Sequence, residues 1–290
     1  LDPHPAIRAV YGWRFPLLTW IDEEWAREHR HEVFSQAEGK LDDLGWVAWA
    51  AYLRAARAYF GVFDILRPVY ELAVSELEPT VEDLGSSDDP LVGLAHHLMT
   101  FYWHGKLALD DALLEGLFTD GSPGLRGQAL HYVGRSLRDL RRAVPREVGE
   151  RMIALWDSRI SAAEAGDATS FAPEAAAFGW WFTSAKLPDQ WAVENLVRAL
   201  RVSNRTELDH AVMGRLSELA SRFPGPAVDC AALLIEGDHQ GWGVYSWKAD
   251  LARIIAAAHA SGEPGPREKA ETVDNELVVR GYPEFREFIS

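Results

Sequence analysis

Apolar side chains in this chain return every three to four positions, segment after segment, and that period leaves room for little besides helices. Residues 209–223 place Val212, Leu216, Leu219 and Phe223 on one face, and 226–236 do the same with Val228, Ala231, Ala232 and Ile235. The spacing recurs in 249–260 (Leu251, Ile254, Ile255, Ala258) and in 189–201 (Val193, Leu196, Val197, Leu200). Strand-like alternation is nearly absent, and alanine, the strongest helix former, is abundant. Between the stripes stand clusters of Gly, Pro, Ser and Asp: "FPGPA" (223–227), "SGEPGP" (261–266), "GSSDDP" (85–90), "DGSPG" (120–124) and "EAGDATSFAP" (164–173). Pro90 and Pro145 suit first turns, and Asp43 and the Thr206-Glu207 pair are candidate caps. The pattern predicts an all-α chain of about twelve to fifteen helices joined by short turns.

Each stripe is one-sided, so each helix has one face to bury. Residues 206–223 with 226–236, and 247–260 with 266–280, read as two consecutive helix pairs. Each pair spans roughly 40 residues, the period of HEAT and armadillo repeats. "PGLRGQALHYVGRSL" (123–137) carries a similar stripe. These features predict a right-handed α-solenoid of degenerate HEAT/armadillo-like pairs, with a compact multi-helix bundle as the alternative. The expectation is one all-α repeat-like domain over 1–290. The longest punctuated stretches are 79–90 and 161–173, and a break in substructure is possible near 161–173.

Charge narrows the partners. Lys and Arg number 29 against 44 Asp and Glu, a net −15 that repels a phosphate backbone, so nucleic acid is not expected. The basic group Arg135, Arg138, Arg141 and Arg142 reads as a solvated helix face. No apolar run reaches the roughly 20 residues that span a bilayer, so no membrane association is expected. Cys230 is the one cysteine and cannot form an internal disulfide, which suits a reducing, cytoplasmic setting. Its apolar neighbours predict a small buried hydrophobe rather than a nucleophile. The chain begins Leu1-Asp2-Pro3 without Met, which predicts a piece of a longer protein.

Three constellations could carry chemistry. Glu-x-x-His occurs at Glu28/His31 and Glu207/His210. In di-iron bundles two such pairs join two further Glu. Here Glu28 lies on a polar face, and Glu207 sits at a helix start, where the dipole favours a carboxylate. His96, His97 and His104 cluster with aromatics in "HHLMTFYWHG". They lack the further ligands zinc requires and suit buried histidines bonded to carbonyls. In "EGDHQGWGVYSW" (236–247), Glu236, Asp238 and His239 are acid–base residue types. The same residues suit a plain loop: Gly237 ends a helix, Asp238 and Gly241 turn the chain, and the aromatics pack it down. No phosphate-binding loop, dinucleotide fingerprint, nucleophile elbow or His-Glu-x-x-His is present, so no cofactor and no metal are expected.

Tryptophan remains. Trp46, Trp49 and Leu53 share a helix face and predict a core seam. In "FGWWFTSAKLPDQW" (178–191), Trp180 and Trp181 point about 100° apart on a helix, so both are buried only if it is covered on two sides. Exposed indoles anchor partners well. The candidate partner-binding residues are Trp180, Trp181, Lys186, Trp191, Trp242, Tyr245 and Trp247.

"LRGQALHYVGRSL" (125–137), "FGWWFTSAKLPDQWAVENL" (178–196), "GWGVYSWKADLARII" (241–255) and "RGYPEFREF" (280–288) together resemble the all-helical C-terminal regions of very large bacterial multidomain proteins. Some of those belong to STAND-type and sirtuin-like anti-phage defence. The resemblance implies a sensor or scaffold end, with catalytic chemistry upstream of Leu1, and carries over no functional residue. Three readings follow: a non-catalytic repeat domain that binds another protein or another domain of its own chain; a helical-bundle metalloprotein or hydrolase using the Glu/His pairs or 236–239; and a domain for self-association of a larger chain.

Overall fold

The computed structural model describes residues 2–55, 57–79, 89–283 and 285. The corner at 80–88, the last residues of the 280–288 motif and the final residues of the chain lie outside them. Apart from one short hairpin, the regular structure among the described residues is helical.

Proline and short polar side chains start these helices as local chemistry requires. Pro5, Pro90, Pro224 and Pro264 occupy first turns, where the missing N–H costs nothing. Asp22, Asp89, Asp111 and Asp167 each accept from backbone N–H groups that have no partner inside the helix. Two expected caps fall differently. Asp42, rather than Asp43, takes the Gly45 N–H at 2.7 Å. The Thr206 hydroxyl donates to the Ala176 carbonyl and the Glu207 carboxylate accepts from Trp180, so neither side chain is left to cap. The next helix instead begins at Leu208, in a left-handed conformation (φ 58°) and without a side-chain cap.

The chain divides into two compact units, Leu1–Tyr132 with Glu150–Leu155, and Val133–Gly149 with Trp156–Ser290. The stretch 161–173 falls inside the second, as the end of one helix and the start of another.

In the first unit the helices are α1 (Pro5–Ile21), α2 (Glu23–Val33), α3 (Asp43–Ala55), α4 (Phe60–Ser75), α5 (Pro90–Trp103) and α6 (Ala112–Asp120). A two-residue antiparallel hairpin, β1 (Gln36–Ala37) and β2 (Lys40–Leu41), sits between α2 and α3. Packing runs along alternate helices: α1 on α3 and α3 on α5, α2 on α4 and α4 on α6. Close approach is set by Gly12, where a β-carbon would lie 1.9 Å from the Ala48 carbonyl oxygen. Phe15, Phe34, Trp49, Tyr52, Phe63 and Phe101 fill the core, so the anticipated seam through Trp49 and Leu53 is buried. Trp46 lies at its margin and donates to Glu76 at 3.0 Å.

Residues of α7 (Pro123–Asp139) and α8 (Arg146–Ala165) are divided between the two units, and the second also holds α9 (Ala168–Ala176), α10 (Phe178–Thr183), α11 (Asp189–Ser203), α12 (Asp209–Leu219), α13 (Pro224–Gly237), α14 (Trp242–Ala260) and α15 (Pro264–Val279). Alternate helices pack here too: α9, α11, α13 and α15 in one row, α10, α12 and α14 in another. Among the described residues no helix is long and apolar enough to cross a membrane.

Candidate functional site

The α9–α10 bend, the α11–α12 loop, the α13–α14 loop and the segment after α15 are tied to one another within the second unit, each tie ending on a backbone carbonyl. The Glu207 N–H donates to the Ala176 carbonyl at 2.9 Å. At Gly237 a β-carbon would lie 1.8 Å from the Asn204 carbonyl oxygen, so only glycine lets these two loops touch. Arg280 donates to the carbonyls of Ile235 (2.7 Å) and Asp238 (3.1 Å), and the Tyr282 hydroxyl to that of Gly241 (3.0 Å). These bonds hold a loop whose turn needs Gly241 at φ +73°.

The α13–α14 loop launches α14. Asp238 accepts the Val244 N–H at 2.8 Å, an N-terminal cap supplied from several residues upstream. Trp247 lies under the first turn, 3% exposed, its ring against Gly243. Trp242 and Tyr245, one turn apart, point the other way and are 73% and 67% exposed. Arg205, Asp209, Leu234, His239 and Trp242 are among the residues lining a cleft of about 420 Å³ between the two loops. A second recess of about 450 Å³ lies between His239, Gln240, Arg280 and Tyr282. The Lys248 ammonium stands 5.2 Å from the Tyr245 ring and 5.0 Å from the Tyr282 ring. This edge combines exposed aromatic area, mixed charge and a loop fixed by its neighbours.

The seven anticipated partner-binding residues fall into two groups. Trp242, Tyr245 and Trp247 share the start of α14; Trp180, Trp181, Lys186 and Trp191 surround α10 and the first turn of α11. Two need correction. Trp247 is core, and so is Trp181 at 1% exposure, near Trp156 (5.8 Å) and Phe178 (6.4 Å); neither offers a ring to a partner. The adjacent indoles are thus divided. Trp180 is half-buried, with its N–H on the Glu207 carboxylate and the Arg138 guanidinium 5.3 Å from its ring. Trp191 is half-buried and donates to Asp157 at 3.2 Å. Lys186 donates to the Arg142 carbonyl at 3.1 Å.

The other constellations do not converge. Glu28 and His31 are exposed on α2 in the first unit, and Glu207 and His210 belong to the second. His97 is buried and bonded at 2.7 Å to the Tyr70 hydroxyl, where a carbonyl partner was expected. His96 stacks on Tyr132, and His104 lies beside Phe60. Glu236 is exposed, and the Asp238 carboxylate is occupied by its helix cap. Among the described residues no three His, Cys, Asp or Glu side chains gather as a metal would need. Cys230 is fully buried, and burial, with Asp229 beside it, pushes its thiol pKa well up.

A further exposed apolar surface lies on α1. The face of α1 bearing Val10, Trp13, Leu17 and Trp20 is exposed. Its sign in the sequence is that "PAIRAVYGWRFPLLTWI" is apolar on more than one side, where a surface helix needs a single stripe. Neither a protein-family model, nor a curated protein, nor a solved structure matches the chain.

Proposed function

We propose that this chain is a non-catalytic helical-repeat interaction domain, the sensor or scaffold part of a larger bacterial protein, and that its second unit binds a protein partner across the α11–α12 and α13–α14 loops. Alternate-helix packing supports an α-solenoid reading with degenerate HEAT/armadillo-like pairs: in such a stack each helix buries its stripe on the next pair, and the loops line up along an edge. The resemblance to the C-terminal regions of large bacterial proteins, some from anti-phage defence, agrees with this reading.

The observation that carries the proposal is the pair Trp242 and Tyr245, exposed in the first turn of α14, which follows a loop that four hydrogen bonds to or from the backbone hold in place, with Trp247 buried beneath. Rigid, exposed aromatics lose little entropy on binding and are favoured interface anchors. The partner is another protein or another domain of the same parent chain.

The test is quantitative capture with the parent protein and its Trp242→Ala and Tyr245→Ala forms, followed by titration of the purified captured partner. Either substitution is expected to weaken binding by about tenfold or more, the effect of losing an anchor worth at least ~1.4 kcal/mol. Unchanged affinity in both variants, with helicity retained, overturns the assignment of this edge.

A further inference from the structure

We propose that the outer face of α1 is a self-association surface, and that two copies of the chain pair through it about a two-fold axis. The proposal concerns the first unit alone and is independent of the α13–α14 edge. Helix α1 carries two apolar faces. Arg8, Gly12 and Phe15 lie on the buried one, against α3. Ile7, Val10, Trp13, Leu17, Trp20 and Ile21 lie roughly opposite, at 100° per residue, and all are exposed. Tyr59 and Phe60, at the start of α4, are also exposed, and Tyr59 borders the same groove as Leu17 and Trp20.

Area decides what kind of occupant this face needs. At their exposed fractions, and with about 150–250 Å² for each aromatic ring, these side chains leave on the order of 800 Å² of apolar surface in water. The largest such patch on an ordinary monomer is about 300–600 Å². One partner's share of a standard interface is about 800 Å². The patch is therefore the size of one half of a stable dimer contact.

Shape decides for a second copy. Trp20 is 83% exposed, a projecting indole. Immediately beside it is a groove of about 620 Å³, lined by Pro16, Leu17, Thr19, Tyr59, Gly61 and Val62. A β-carbon at Gly61 would meet nothing within 4 Å, so that wall is open. Knob and recess belong to one patch, as an isologous contact requires, because each copy then inserts what the other receives. An antiparallel pairing of the two α1 helices seats Trp20 of each copy in the groove of the other, beside Leu17 and Tyr59.

Charge argues against a lipid surface as the occupant. An interfacial helix is favoured by Lys and Arg along its polar side. Here Glu23 borders the groove, Glu24 and Glu28 follow on α2, and the chain's net charge is −15. Anionic headgroups repel that arrangement.

Sedimentation equilibrium of the 290-residue chain from about 1 to 100 µM tests the proposal. The expected result is a reversible dimer of twice 32.4 kDa. Trp20→Glu and Leu17→Glu are each expected to raise the dissociation constant by about a hundredfold or more, while Trp242→Glu leaves it unchanged. The substituted α1 side chains face water, so the circular-dichroism melt of the monomer should not move. A wild-type chain that stays at 32.4 kDa over the whole range overturns the proposal. So does a dimer that survives both α1 substitutions, or a monomer that floats with phosphatidylcholine vesicles through Trp20.

Discussion

The two units build their cores from different materials. In the first, rings pack on rings: Phe15 on Phe34 at 5.0 Å, Trp49 on Tyr70 at 4.8 Å, Phe63 on Phe101 at 4.2 Å. A hydrogen-bonded chain from Tyr52 through Tyr70 to His97 passes between them, and burial raises both phenol pKa values, so the hydroxyls stay protonated. In the second unit Trp156 stacks on Phe178 at 4.0 Å, with Trp181 and Trp191 beside them at 5.8 Å. Elsewhere this unit joins helices through aliphatic contacts and ionic clamps: Arg159 with Glu174, Arg198 with Glu164, and Asp189 with both Arg215 and Arg222, all at 2.6–2.8 Å. Aromatic packing answers mainly to volume, whereas carboxylate–guanidinium clamps answer to pH and to the loss of either partner. The same helix-row arrangement is thus held in two ways that fail under different conditions.

The largest expected effect tests the aromatic side of that contrast. Trp49→Ala opens a cavity in a fully buried core and should cost about 3–5 kcal/mol. Hydrogen exchange should show the loss concentrated in 2–132, with 168–279 little changed; equal loss in both would mean that the units do not differ as their cores suggest. Next is the buried clamp. Arg159→Ala strips a guanidinium from Glu174, which is 3% exposed, and should cost about 3 kcal/mol, read by urea unfolding. Arg159→Met, which keeps the stem and removes the charge, should not restore it while Glu174 remains. Double replacement by Arg159→Met and Glu174→Leu should recover most of the loss.

The smallest effect is the response to acid. The Arg198 hydrogen bond holds the Glu164 pKa below the ordinary carboxylate value, and Arg222, then Arg215, do so for Asp189. A folded pKa below the unfolded one means stability present above the unfolded value, about 4, and lost as pH falls through the folded one. Protection in 168–279 should therefore weaken below about pH 4 through Glu164 and Asp189, and in 2–132 the acid loss should fall at the start of α3, where the Asp42 pKa is also lowered. Asp274 has the opposite sign: burial raises its pKa against the pull of His259, so its contribution is lost as pH rises through that raised value. Asp274→Asn should flatten that part of the profile and leave the acid limb in place.

Helices were readable wherever one apolar stripe met a Pro or Gly boundary. The reading 226–236 became α13, Pro224–Gly237, and 189–201 became α11, Asp189–Ser203. The start of α14 is not legible locally, because 242–248 is aromatic without a stripe and its cap, Asp238, lies upstream of the helix. What sequence could not supply were pairings across distance. Nothing local says that Glu207 serves Trp180 rather than a helix dipole, or that Arg159 and Glu174 meet in the interior. The site was half legible for the same reason. Adjacent indoles at Trp180 and Trp181 imply two directions, but which one turns inward depends on the helices that cover them. The α1 segment, apolar on more than one side, says in sequence that it has two faces to cover but not which one packs on a neighbouring helix.

Among the described tryptophans, Trp13, Trp20 and Trp242 are exposed, and the others are buried or half-buried. An indole in water emits to the red of one in a hydrocarbon core and is open to collisional quenching. Trp20 belongs to the first unit and Trp242 to the second, so each proposed contact carries a native optical reporter. With Trp13→Phe to remove the third exposed ring, acrylamide quenching of Trp20→Phe and Trp242→Phe separates the two signals, and occupancy of either surface can be followed without a label.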